Sequence, residues 1–136
     1  MNTPVDSNNG LNSITSHNDV KTTADHLESI LQEKGMNIFS RVNHTAGAEK
    51  IGETLRPTEL IIFGNPQTGT PLMQDQQTAA IDLPQKMLVW EDNQGKVWLS
   101  YNNPNYLAER HGITACDELV NKIDTALENI ATAACR

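Results

Sequence analysis

The chain has 136 residues, 38% of them apolar, and a formal net charge of −7. That length accommodates one domain core rather than two. The acidic balance, with no cluster of Lys and Arg, argues against nucleic acid as a partner and against docking on an anionic membrane surface.

Met1 to Gly10 is rich in Asn, Ser, Asp, Pro and Gly, and is expected to be a disordered tail ahead of a single domain over residues 11–136. The tail has neither the basic start nor the apolar stretch of a signal peptide. No window approaches a membrane span, so the expectation is a soluble, cytoplasmic protein. Leu11 to Thr15 reads as a first strand. Asn18 or Ser16 is then expected to cap a helix whose apolar positions Val20, Ala24, Leu27, Ile30 and Leu31 follow helical spacing, with Gly35 ending it.

Met36 to Val42 reads as a second strand, and Ala46 to Ile51 as a short helical turn. Pro57 opens a strand that continues through Leu60-Ile61-Ile62-Phe63, an apolar run that implies cover on both faces. Gly64-Asn65-Pro66 turns the chain. Thr70 and Pro71 then have the residue types of an N-cap and first position for a helix to about Ala80.

Gln85 to Glu91 and Lys96 to Tyr101 form the clearest hairpin. With Glu91 set opposite Lys96, the core side is Leu88, Trp90, Val97, Leu99 and Tyr101. Met87, Val89 and Trp98 then lie on the other side, as the seam of a homodimer, a face packed under a covering helix or the wall of a small-molecule cavity. Asn103-Pro104 starts a short helix to His111. Thr114, with Asp117 as its capping-box partner, is expected to open a last helix with the stripe Cys116, Leu119, Ile123, Leu127 and Ile130. The order β-α-β-α-β-α-β-β-α-α predicts an α+β fold with one curved, mostly antiparallel sheet packed against helices. Cys116 and Cys135 would stand about 28 Å apart along that helix, which excludes a disulfide between them. Cys116 is read as buried and Cys135 as exposed.

The segment Leu-Arg-Pro-Thr-Glu-Leu-Ile-Ile-Phe-Gly-Asn-Pro-Gln-Thr-Gly-Thr-Pro-Leu-Met, from Leu55 to Met73, is the most distinctive in the chain. Together with Asp82-Leu83-Pro84, Val89-Trp90-Glu91-Asp92 and Ser100-Tyr101-Asn102, it resembles domain-of-unknown-function family 302 over roughly Leu11 to Gly112. The resemblance implies a fold of the TATA-binding-protein-like class and a dimer. It implies no reaction. Members often carry Asp-His before the short helix, where this chain has Asn43-His44, so a general base at His44 lacks a local carboxylate.

Candidate ligand-binding residues fall at the two ends of the apolar strand. Arg56 and Glu59 stand at its entry and Asn65, Gly69 and Thr70 at its exit, too far apart along a strand of about 17–20 Å to share one pocket within a subunit. Gly69-Thr70-Pro71, read as a helix start, would offer free N–H groups to an anion but lacks the Gly-Lys-Ser/Thr of a phosphate loop. His44 and His111 lie near element ends, and their spacing with Glu59 gives no metal-ligand pattern. His111, in the last turn of its helix, is accounted for by the helix dipole or an exposed surface position. No catalytic residue and no cofactor are assigned. The expectation is a homodimeric binding module for a small, possibly anionic, ligand or a protein partner. The alternative is a small enzyme with His44, Glu59 or His111 around a cleft.

Overall fold

The computed structural model describes residues 9–136, and residues 1–8 of the expected tail lie outside them. Gly10 belongs to the fold rather than to a tail. Its φ is +82°, and a Cβ there would come within 2.3 Å of the Tyr106 ring, so only glycine lets the backbone pass under that ring. Its carbonyl accepts from the Asn103 N–H at 2.8 Å, which anchors the start of the first strand.

The first strand, β1 (Leu11–Thr15), leads to α1 (Val20–Glu33). The cap is Asp19 rather than Asn18 or Ser16, because its carboxylate accepts from the Thr22 N–H at 2.8 Å. That bond holds the Asp19 carboxyl below the usual carboxylate range. Val20, Ala24, Leu27 and Leu31 are buried, and Gly35, at φ +72°, follows the helix as expected. Next come β2 (Asn37–Asn43), α2 (His44–Lys50) and β3 (Thr58–Gly64). Asn43 caps α2 by accepting from the Ala46 N–H at 2.9 Å, so the helix begins two residues earlier than its apolar positions suggest.

The five strands form one antiparallel sheet in the order β1-β5-β4-β3-β2, with β4 spanning Gln85–Glu91 and β5 Val97–Asn102. This is the α+β fold that the sequence implies. The hairpin register differs from the expected one by a single residue. Asp92 donates its N–H to the Lys96 carbonyl at 2.8 Å and Gly95 takes φ +80°, so the loop has three residues and Glu91 lies opposite Val97. A one-residue slip turns β4 over relative to β5, so Leu99 and Tyr101 keep the expected core side while the β4 residues exchange faces. Met87, Val89, Leu99 and Tyr101 therefore face the helices, fully or almost fully buried, while Trp98 faces away with Leu88 and Trp90. The seam expected from Met87, Val89 and Trp98 does not exist as one face.

The helix side of the sheet is covered by α1 and by the last helix, α5 (Asp117–Ala134), whose Val120, Ile123, Leu127 and Ile130 join the same core. Cys116, not Thr114, occupies the cap position of α5. The expected capping box gives way to a longer-range contact, since Asp75 accepts from the N–H groups of Thr114 and Ala115 at 3.1 and 3.0 Å. Cys135 is buried rather than exposed, at 4% relative accessibility, because its carbonyl accepts from the His17 N–H at 3.0 Å and draws the end of α5 against the turn before α1. Both thiols are free. On the open side of the sheet, Val42, Leu60, Leu88 and Ser100 follow one another across four strands. Trp90 and Trp98 stack beside them with ring centroids 6.4 Å apart. None of these side chains belongs to the core beneath the helices.

Candidate functional site

The apolar strand β3 ends in Phe63, which is buried, and Gly64, which is half-buried. A Cβ on Gly64 would stand 3.4 Å from Pro84 and 3.5 Å from the Phe39 ring, ordinary contact distances that place both residues beside the end of the strand. Asn65 then leaves the sheet, and its side-chain oxygen accepts from the Gln67 N–H at 2.9 Å. With Pro66 in the first turn, where the lost N–H costs nothing, this starts α3 (Pro66–Asp75).

That start lies about one turn earlier than the Thr70-Pro71 pair suggests. Asn-Pro satisfies the same cap chemistry, and Thr70-Pro71 falls inside the helix. Gly69 already donates its N–H to the Asn65 carbonyl at 3.0 Å. The free N–H groups expected at Gly69 and Thr70 are therefore absent, and with them the basis for an anion there.

After α3 a 3₁₀ turn, Gln77–Ile81, leads into Asp82-Leu83-Pro84, with the Leu83–Pro84 peptide bond cis. Gln85 then opens β4 directly opposite Phe63. The Phe-Gly-Asn-Pro and Asp-Leu-Pro elements, well separated in the chain, thus lie side by side at one end of the sheet. Between them is a cleft of about 270 Å³. Its walls include Phe39, Pro66, Gly69, Met73, Leu83 and Pro84, and no charged side chain lines it. Asn65, Thr68 and Thr70 supply polar atoms near the α3 side.

The wall carrying Leu83 and Pro84 is held by a set of polar contacts. Asp82 accepts from Arg110 Nη1 at 2.9 and 3.1 Å and lies 2.6 Å from His111 Nε2. His111 Nδ1 is 3.0 Å from Thr78 Oγ1. Lys86 donates from Nζ to the carbonyls of Asp82 and Pro84 at 3.1 and 2.8 Å, and burial pushes its amine below the usual lysine range. Arg110 and His111 end α4 (Pro104–His111), so this helix fixes the wall from outside the cleft. His111 is not a surface histidine explained by the helix dipole: its side chain is 6% exposed and tied to Asp82. Beside it is a second, small cavity lined by Asp82, Leu83, Gln85 and His111.

The other expected residues lie elsewhere. Arg56 is exposed at the entry of β3 and donates from Nε to the Glu91 carbonyl at 3.2 Å. Glu59 faces the helices and accepts from Arg41 Nε at 2.8 Å, while Arg41 Nη1 reaches Asp25 at 2.8 Å and Glu28 at 3.2 Å. Glu59 borders an acidic groove with Asp25, Arg41 and Glu49. His44 is exposed in the first turn of α2. Among the described residues no group of three or more His, Cys, Asp or Glu side chains could hold a metal. Within one chain Glu59 and His111 lie in different cavities, so the three candidate catalytic groups do not converge. Sequence reasoning does not mark Asp82, Gln85 or Phe39 as site residues. For Asp82 the available signal was its place in the Asp-Leu-Pro element; for Phe39 and Gln85 sequence spacing carries none.

The family profile described as "Domain of unknown function DUF302" matches residues 12–130. The chain is 48% identical over 113 residues to a protein from Brucella suis biovar 1 (strain 1330) named "Fluoride-specific ion channel FluC 1", covering 83% of this chain and 44% of that one. A protein from Brucella melitensis biotype 1 named "Fluoride-specific ion channel FluC 2" is also 48% identical over 113 residues, 83% of this chain and 42% of its own length. The chain therefore spans less than half the length of these relatives. Its structure is similar to the crystal structure of an uncharacterized conserved protein DUF302 from Bacillus stearothermophilus, with a TM-score of 0.82 at 20% identity, covering 93% of this chain and 98% of that one.

Proposed function

The chain belongs to the DUF302 family, and on that premise we propose that it is a binding module for a small, uncharged ligand held in the cleft between α3 and the Leu83-Pro84 wall. The observation that carries this reading is the meeting of the two distinctive motifs on adjacent strands, where they enclose one cleft without a charged lining. Clefts that are mostly apolar with a few placed polar groups are the usual form of a small-molecule site. An anion would need a cation or free N–H groups, and the cleft has neither of the expected ones.

Gly69→Leu tests the reading. A Cβ at Gly69 would meet Met73 at 3.9 Å and Leu83 at 4.0 Å, ordinary contacts, so a leucine extends into the cleft rather than into packed core. Replacing a helical glycine also favours the helix by about 0.5–1 kcal/mol. In a thermal-shift screen against neutral fragments, wild type is expected to respond to some compounds and Gly69→Leu to none, with its own melting temperature unchanged or higher. Equal responses in both proteins would place any ligand elsewhere.

The homodimer expected from the sequence is part of the proposal, with its seam moved to the open sheet face. Leu60, Leu88 and Trp90 are half-buried there and apolar, the residue types that interface cores favour. Leu88→Glu is expected to convert a dimer to a folded monomer by light scattering. A monomeric wild type, or an unchanged dimer in the variant, would remove this seam. A cytoplasmic setting agrees with the two free thiols.

In the Brucella relatives the matched segment is less than half of a protein named as a fluoride channel. No helix among the described residues here is long and apolar enough to cross a membrane. We propose that in those proteins too the segment is a binding domain, joined to a separate channel-forming part.

A further inference from the structure

We propose, resting on the cleft reading above, that the ligand is an uncharged aromatic ring carrying a carboxamide or an equivalent neighbouring donor and acceptor, and that the Gln85 side chain recognises that edge. Gln85 is the first residue of β4 and lines both the cleft and the small cavity beside it, so it stands where the two spaces adjoin. Among the described residues its side chain makes no hydrogen bond, while several neighbouring polar groups, though not Thr70 Oγ1 or the Asn65 NH₂, are already engaged. Thr68 Oγ1 donates to the Asn65 carbonyl at 3.0 Å. Asn65 Oδ1 accepts from Gln67, Asp82 is held by Arg110 and His111, and Lys86 Nζ is bonded to two carbonyls.

A primary amide presents one acceptor and two donors side by side. Covering it with an apolar ligand would leave those groups unsatisfied, whereas a second amide answers both at once. A carboxylate would lose its water without gaining a cation, because none lines the cleft. The ring preference follows from the walls. Phe39 stands 58% exposed at the mouth, against Gly64, where a flat ligand can stack on it. Met73 supplies a thioether, which favours aromatic contacts. An apolar cavity of about 150 Å³ holds benzene. The cleft, at about 270 Å³, has room for a ring with a substituent.

Benzamide, benzoate and toluene separate these contributions in a ¹⁵N-NMR titration of wild type, Gln85→Met and Gly69→Leu. Gln85→Met keeps side-chain length and removes both polar groups, and a native-like spectrum confirms its fold. Wild type is expected to bind benzamide about tenfold more tightly than toluene and benzoate, the size of one good hydrogen-bonding gain, with the Gln85 side-chain NH₂ signal shifting. Gln85→Met loses that tenfold while its toluene affinity holds, and Gly69→Leu binds none of the three. Benzoate binding as tightly as benzamide, a Gln85→Met variant with unchanged benzamide affinity, or no benzamide binding at all would overturn the assignment. Binding of toluene alone, abolished by Gly69→Leu, would overturn the amide class while supporting the cleft. Silence from the whole neutral panel would overturn both.

Discussion

Arg41→Met is expected to destabilise the chain by about 2–3 kcal/mol, seen as a lower urea midpoint with an unchanged slope. Arg41 joins Glu59, Asp25 and Glu28 through contacts of 2.8, 2.8 and 3.2 Å. Its guanidinium is held further above the usual arginine range, first by the bond to Glu59. Removing one partner of a fully buried pair costs about 3–5 kcal/mol, mostly because the other charge is left alone. Here the Arg41 and Glu59 side chains are 25% and 11% exposed, so water moderates the loss. Asp25 also keeps Lys21 at 2.9 Å, which leaves Glu59 as the group that suffers. The double variant Arg41→Met/Glu59→Leu should recover most of the stability, since an apolar pair can replace a buried ion pair at little cost. A single variant as stable as wild type would show that the cluster is only a solvated surface network.

Alkaline pH supplies the second large effect. Burial pushes the Cys135 thiol from 9.0 up to about 11, with a hydrogen bond to Ser16 opposing in part. Below the unfolded value the thiol is neutral in both states and the contribution is intact. As pH rises from 9.0 towards 11 the unfolded chain ionises while the folded chain keeps its proton, so stability falls across that window. The loss should be on the order of 2 kcal/mol. Tyr101, raised chiefly by burial, adds to it. Lys86 works the other way, because burial lowers its amine and deprotonation then favours the folded state. Thermal melts of wild type and Cys135→Ala over this range should diverge, the variant losing less stability. Parallel curves would mean that the end of α5 admits water freely.

Local signals carried the fold a long way. Gly35 and Gly112 end helices at φ +72°, as glycines after an apolar stripe should. The stripes on α1 and α5 meet in the core because 3.6-residue spacing is written into the residues themselves. The errors in cap position share one cause. Where several Asn, Asp, Ser or Thr residues crowd a helix start, as at Ser16 to Asp19 or Asn65 to Thr70, several caps satisfy the local chemistry. Distant contacts then choose between them: Ser16 bonds Thr23 at 2.6 Å and frees the cap position for Asp19.

The candidate site divides along the same line. Asn65, Gly69 and Thr70 line the cleft as walls of an apolar space, where their motif had offered only an anion cradle at a helix start. Asp82 and His111 are 29 positions apart and touch only because α4 packs beside the 3₁₀ turn.

By itself, the sequence determined a single α+β domain, the order of its elements, the apolar stripes of its long helices and the family to which it belongs. These depend on composition, on periodicity over a few residues and on motifs read in place. Only the tertiary structure decided which face of the hairpin is buried, where α3 begins and which side chains share a cleft. Each of those turns on long-range pairing, and a single residue in the Asn93-Gln94-Gly95 loop is enough to exchange one face of a strand for the other.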